Sequence, residues 1–353
     1  MAKNEMPPRN VLVMRFSALG DVAMTIPVLY PMCKANPETR FIMATKKWPA
    51  SMFQDRPENL EVVGIDVREE YKGLHGLIKL TSLLRREYNI DAVADLHNVL
   101  RTRVIDILMK LRGIPVAHLD KERGRRRSLI SHKQGAQPVT STHERYRNVF
   151  HRLNLDSPDN FTRLYDGKPL PTSPIVLEKE PGQRWIAIAP FSAHQGKSYP
   201  LGLMAQVVAE LSQRENYWIF LMGGGKAEKI ALRGIARSNK QVTSMAEIKH
   251  GFIDEFALLG KCDIMLTMDS ANMHLASLLG LRAITIWGAT SPACGFLGYG
   301  QDADCDIQLD MDCKPCSIYG ERECRYHDYR CLKNISPDAI ASHVIDLLEG
   351  VKE

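Results

Sequence analysis

The sequence has no apolar run approaching the ~18 residues that a membrane-spanning helix needs. Nor does Met1 to Arg9, polar and with two prolines, offer the basic start and apolar core of a secretion signal. Both absences predict a cytoplasmic protein. Low-complexity tracts and short-period repeats are missing as well. Aromatic residues make up only 7% of the chain. Around its one strongly basic segment the neighbours in sequence are Tyr146 and Phe150 alone, too few for base-stacking recognition, so no nucleic-acid partner is expected.

What is present is ordinary in composition and uneven in placement. With 353 residues, 44% hydrophobic and 25% charged, the chain can bury two cores and reads as a soluble two-domain protein. The net charge of +5 hides a cluster: Lys121, Arg123, Arg125, Arg126, Arg127 and Lys133, with Lys110 and Arg112 just before it. Such a run suits phosphates on a lipid, a glycan or a nucleic acid, or forms a solvated loop. Of eight cysteines, Cys33, Cys262 and Cys294 are scattered, whereas Cys305, Cys313, Cys316, Cys324 and Cys331 crowd the C-terminal region. A reducing compartment favours thiols or a metal knot there over disulfides.

Strand and helix patterns alternate along both halves. In the first, strands are predicted at Asn10 to Arg15, Thr39 to Ala44, Leu60 to Gly64 and Ala92 to Asp95. A helix capped by Asp21 is expected to run to about Ala35, another from Leu74 to Arg86 and a third from Glu144 to Leu153. Residues 120 to 145 lose the alternation, and the proline-bearing stretch Ser157 to Pro181 reads as a linker, part of which could pair as a strand. In the second half strands are predicted at Trp185 to Pro190, Tyr217 to Met222, Asp263 to Thr267 and Ala283 to Trp287. Helices are expected at Leu201 to Arg214, Ala227 to Arg237, Phe252 to Leu259 and after Ser270. Two such arrays predict an α/β protein of two doubly wound, Rossmann-like domains. The division expected is 1–170, 171–335 and a C-terminal helix, 336–353, packing back on the first domain.

Ligands in open α/β sheets sit beyond the carboxyl ends of strands, and three such ends are polar: Ser17 to Asp21, Ser192 to Lys197 and Asp269 to Ala271. The last is the most informative. After Leu266-Thr-Met-Asp269 a helix must begin within two or three residues, and its unpaired N–H groups and positive dipole end suit a diphosphate.

At these positions the chain resembles a known family. Arg15-Phe-Ser-Ala-Leu-Gly-Asp-Val-Ala-Met-Thr-Ile-Pro27 is similar to the opening motif of glycosyltransferase family 9, the ADP-heptose:lipopolysaccharide heptosyltransferases. Met268-Asp-Ser-Ala-Asn-Met-His-Leu-Ala276 and Ile286-Trp-Gly-Ala-Thr-Ser-Pro292 resemble their donor-site signature, and Asp91-Ala-Val-Ala-Asp-Leu-His97 a weaker acceptor-side motif. The resemblance implies a GT-B fold, two Rossmann-like domains facing a central cleft, with acceptor on the first and nucleotide-sugar donor on the second. It also implies an inverting, metal-independent transfer without a cofactor.

By the same resemblance Asp21 is the catalytic base, and Lys197 faces the donor diphosphate, where charge builds as the nucleotide leaves. Donor contacts are expected from Ser192, Lys197, Asp269, Ser270, Ala271 and His274, and acceptor contacts from Ser17, Gly20, Arg125, Arg126 and Arg127. Without it, Asp21 reads as a helix cap, Lys197 as a surface lysine and His274 as a packed core histidine. Two departures stand out. Ala271 replaces a usual glycine, limiting how closely backbone approaches a phosphate. Glu228 lies two residues later than the acidic residue the family places near the ribose.

No metal is expected in catalysis; Asp302-Ala-Asp304, Asp304-Cys-Asp306 and Asp310-Met-Asp312 read as exposed turn carboxylates. Cys313, Cys316, Cys324 and Cys331 could close a structural zinc site, but their second pair is widely spaced, and reduced or paired thiols are the expectation. The partners that follow are a nucleotide-sugar donor and a lipid-linked glycan acceptor, the basic run giving peripheral contact with the inner membrane. Two rivals remain: a nucleotide-sugar epimerase on the same architecture, and a non-enzymatic anionic-ligand-binding protein.

Overall fold

The computed structural model describes residues 6–350, apart from the side chain of Asp304; residues 1–5 of the polar start and 351–353 of the C-terminal segment lie outside it. The chain forms two compact units. One comprises the chain up to Lys121 together with Ser141–Leu164; the other comprises Glu122–Thr140 and the chain from Tyr165 onward. The basic run, expected in the first half, thus groups with the second.

In the first unit β1 (Asn10–Met14), β2 (Arg40–Thr45), β3 (Leu60–Gly64), β4 (Ala92–Asp95) and β5 (Val116–His118) form a parallel sheet in the order β3-β2-β1-β4-β5. Val11, Leu12, Val13 and Met14 are fully buried, as an unbroken apolar run in a two-sided parallel sheet should be. Helices α1 (Leu19–Ala23) and α2 (Ile26–Ala35) replace the single helix expected after β1. Pro27 explains the break: lacking an N–H, it cannot donate back to α1, but it suits the first turn of a new helix. Three helices follow, α3 (Lys47–Ala50), α4 (Gly73–Tyr88) and α5 (Leu100–Lys110). Leu77, Leu80 and Leu84 of α4 and Ile105 and Met109 of α5 pack on Leu12, Met14 and Ile42.

The run from Arg123 to Ile130 is a helix, α6, and α7 (Thr142–His151) returns to the first unit. The second unit repeats the architecture with β6 (Arg184–Ala189), β7 (Tyr217–Leu221), β8 (Val242–Ser244), β9 (Ile264–Met268) and β10 (Ala283–Ile286). All are parallel, in the order β10-β9-β6-β7-β8. Its helices are α8 (Leu201–Leu211), α9 (Lys226–Arg237), α10 (Phe252–Leu259), α11 (Ala271–Leu278), α12 (Arg330–Lys333) and α13 (Pro337–Glu349). The C-terminal helix, α13, packs on α8, placing Ile340, Ala341 and Val344 in this unit's core. None of Ser157 to Pro181 is strand.

Both sheets reverse their winding beside the first strand, between β1 and β4 and between β6 and β9. Loops diverge at such switch points and leave a crevice at the strand ends. All three polar strand ends picked out in the sequence lie there.

Candidate functional site

At the first switch point Arg15, only 7% exposed, leaves the end of β1 and turns back on the loop it opens. One terminal nitrogen donates to the Leu96 carbonyl at 2.8 Å, and the other lies 2.5 Å from Asp21 Oδ2. The same carboxylate oxygen accepts the Ala18 N–H at 2.9 Å. Asp21 is therefore not the N-cap. It is the third residue of α1, reaching back to the Ala18 cap position, so it shares the capping work and keeps 22% of its side chain accessible. Tyr146 donates its hydroxyl to the Asp21 carbonyl at 3.2 Å and lays its ring under the Arg15 guanidinium, 5.9 Å away.

His97, which the sequence reading quoted only within a weak motif, stands beside this group, hydrogen-bonded to Ser17 Oγ at 3.4 Å. Burial, joined by the positive charge of Arg15, pushes its pKa down to about 3, so the ring is neutral in ordinary buffers. Its backbone is held by Asp95, whose Oδ1 accepts the N–H groups of His97 and Asn98 at 2.8 and 2.9 Å. Beneath lies Asp106, whose pKa burial and the Asp95 charge drive far above the usual carboxylate range. Asp106 therefore holds its proton to higher pH than an ordinary carboxyl does. Ser17 falls in this loop and Gly20 in the first turn of α1, and both are partly buried.

At the second switch point the 3₁₀ turn Gln195–Lys197 follows β6, and Lys197 Nζ reaches Asp269 Oδ2 at 3.1 Å. Thr290 donates to the same oxygen at 2.7 Å, and Ser192 Oγ donates to the Asp269 carbonyl at 3.2 Å. Ser270 is the N-cap of α11, its Oγ accepting the Asn272 N–H at 3.3 Å; Ala271 opens the helix, and His274 lies buried one turn on. Ser192, Lys197, Asp269, Ser270, Ala271 and His274 are thereby gathered at one strand-end crevice.

Thr290 and Gly320 escaped the residue-by-residue reading. Thr290 lay within the quoted Ile286 to Pro292 motif; Gly320 carried no local signal. Gly320 has a positive φ of 77°, and a Cβ there would stand 2.3 Å from Lys197 Cγ. The cysteine-bearing loop that carries it is sewn on by the Cys316 and Ser317 N–H groups, which both donate to the Ala289 carbonyl. This loop, from a segment more than 100 residues downstream, confines the lysine stem.

The basic helix α6 belongs to the same unit. Arg126 donates to the Tyr319 hydroxyl and stacks over the Phe296 and Tyr319 rings at 5.8 and 5.3 Å, aromatics the fold brings from far along the chain. Arg125 pairs with Glu122 at 3.0 Å and donates to Thr140 at 2.6 Å, while Arg127 is exposed. Glu228 accepts the Gly224 N–H at 2.7 Å beside an open groove of about 700 Å³ lined by Lys226, Lys229 and Arg233.

The cysteines near the C-terminus sit close enough to act on one another electrostatically. Burial raises the Cys331 thiol to about 11, with Cys316, Cys313 and Cys324 adding to the rise. All eight cysteines are thiols, and among the described residues no group of three or more His, Cys, Asp or Glu side chains could hold a metal ion. Among those residues, too, no helix is long and apolar enough to cross a membrane.

Known proteins match this chain along most of its length. The family model described as glycosyltransferase family 9 (heptosyltransferase) matches residues 78–327. A lipooligosaccharide heptosyltransferase 2 of Campylobacter jejuni is 22% identical over 332 residues, covering 92% of this chain and 95% of the relative. Among solved structures, a family 9 glycosyl transferase of Veillonella parvula superposes with a TM-score of 0.72 at 17% identity, covering 98% and 99% of the two chains. The E. coli heptosyltransferase WaaC with ADP gives 0.67 at 16% identity, covering 96% and 99%. The fold is GT-B, and with the family model spanning more than two thirds of the sequence, this chain belongs to glycosyltransferase family 9, the heptosyltransferases.

Proposed function

We propose that the protein transfers heptose from ADP-heptose to a lipopolysaccharide inner-core acceptor, inverting the anomeric centre without a metal. Asp21 takes the proton of the acceptor hydroxyl as that oxygen attacks the anomeric carbon and the bond to the nucleoside diphosphate breaks. The observation that carries this reading is the Asp21 carboxylate itself: aimed by Arg15 and the Ala18 N–H, yet still partly open to solvent. A guanidinium at that distance favours the charged carboxylate, the form able to accept a proton.

On the donor side the cations do what a metal does elsewhere. Lys197 and the N-terminus of α11 place positive charge where the diphosphate gathers negative charge, and Asp269 and Thr290 hold the lysine there. The groove lined by Lys226, Lys229 and Arg233 is the candidate nucleoside subsite. Of the three arginines expected at the acceptor, Arg127 is the one available to it, because Arg125 and Arg126 are engaged within their own unit. Ser17 and His97 line the loop beside Asp21 and orient the acceptor sugar.

Incubation with ADP-heptose and a heptose-deficient core acceptor tests the reading. The expected product is a heptosylated core with the anomeric configuration opposite to the donor, formed equally in EDTA. Release of free sugar without need of the acceptor would point to the epimerase reading, and donor binding with no turnover to the binding-protein reading.

A further inference from the structure

The first unit carries a surface the transfer chemistry does not use. At about 100° per residue, Leu100, Ile107 and Leu111 fall within about 20° of one line along α5 and its C-cap. They are 85%, 57% and 78% exposed. Cations flank this ridge on both sides: Arg103 and Lys110 at about 60–80° one way, Arg101 and Arg112 at about 100–120° the other. The only acid of the helix, Asp106, is buried against the sheet. Every charge the helix shows to solvent is therefore positive.

Neighbouring α4, which packs beside α5, adds exposed Leu74 and Ile78 with exposed Lys72 and Lys79. Next to the start of α5, burial and the like charges of Arg68 and Arg101 lower the Lys46 pKa; Asp66, beside Lys47 and Arg68, and exposed Glu69 and Glu70 offset part of the positive charge before α4 but none of it on α5. An apolar ridge between two rows of cations is the pattern of a helix lying in a bilayer interface: aliphatic side chains among the headgroups, arginines and lysines on lipid phosphates. A protein partner would leave such same-sign rows to be matched by a complementary acidic surface. An anionic leaflet meets them all with one chemistry.

We propose that α5, supported by the start of α4, docks the protein on anionic phospholipid. The inference deepens the function proposed above, since a lipid-linked acceptor is met at a bilayer, but membrane binding is measured apart from transfer. Each cation near an anionic surface raises partitioning roughly fivefold, so salt should weaken the binding.

Flotation of the full-length protein with vesicles of phosphatidylcholine, pure or mixed with phosphatidylglycerol, tests it. The wild type should float with the mixed vesicles and much less with the neutral ones. The triple variant Leu100→Ser, Ile107→Ser, Leu111→Ser should lose at least tenfold in partitioning to mixed vesicles, and Arg103→Glu with Lys110→Glu should lose their preference for phosphatidylglycerol. Both should keep the wild-type melting temperature and turnover on a detergent-free, delipidated acceptor, because the substituted side chains face solvent. Equal flotation of wild type and variants, or no flotation of the wild type, overturns the proposal. So does a wild-type dimer in light scattering that the triple variant splits, since the ridge would then serve a second copy of the chain. Failure to transfer heptose with vesicle binding intact would overturn the proposed function and leave this inference standing.

Discussion

Asp21 and Asp269 are built alike and placed differently. Each follows a central parallel strand at a switch point, and each pairs with a cation from its own unit, Arg15 at 2.5 Å and Lys197 at 3.1 Å. Asp21 keeps 22% of its side chain accessible, whereas Asp269 keeps 5% and also accepts the Thr290 hydroxyl. A carboxylate reachable by a hydroxyl can move a proton; one buried between a lysine and a threonine can only hold them. The cation follows the same logic in reverse. Arg15 is clamped by the Leu96 carbonyl beside Asp21, while Lys197 keeps 15% of its side chain accessible; in the proposed reaction Lys197 meets the diphosphate and Asp269 holds it there.

The largest effect should come from Asp21→Asn, which preserves shape and removes the proposed base. Its kcat is expected to fall about 10²–10⁴-fold while donor-induced thermal stabilisation stays intact. Full turnover would erase the contrast between the two aspartates. Next, Asp269→Ala strands Lys197 beside an unpaired threonine in a buried setting and should cost about 3 kcal/mol or more, seen as a lowered urea midpoint. A third, smaller effect is expected of Gly320→Ala. The new methyl displaces the Lys197 stem at a positive φ, weakening donor affinity several-fold at a stability cost of about 1–2 kcal/mol; unchanged donor affinity would show that the cysteine-bearing loop does not position the lysine.

The smallest effect concerns the acid pair under His97. Asp106 titrates higher in the folded chain than in the unfolded one. Its stabilising contribution is full below the unfolded pKa and fades as pH rises toward the folded one. Asp106→Asn, which mimics the protonated acid, should gain on the wild type between pH 5 and pH 8 in parallel urea melts. A constant difference across that range would remove the retained proton.

Much of this was legible in sequence because it is local. Leu60–Gly64, Ala92–Asp95 and Phe252–Leu259 were read to the residue, their periodicity and bounding turns all near at hand. Two short edge strands, Val116–His118 and Val242–Ser244, were not; three half-buried residues leave too little pattern. Helix α5 was not read either, although its pattern is as amphipathic as that of α8 and α10; exposed Leu100, Ile107 and Leu111 are unusual on the solvent side of such a helix. Helix α6 has scarcely any apolar stripe, and its place is set by Arg126 on Tyr319 and Phe296.

By itself the sequence determined two wound sheets, where their strands end, and which charged and hydroxyl residues stand at those ends, since strand and helix periods and the choice of capping residues act over a few positions. Tertiary structure alone decided which of those residues stay open to solvent and which are buried against a partner. Arg15 meets Leu96, Tyr146 meets Asp21, and Gly320 crowds Lys197 across gaps of roughly 80 to 125 residues, and exposure at each carboxylate depends on what those distant segments cover. Contacts of that span leave no periodic trace in the chain, because they arise only when separate elements pack.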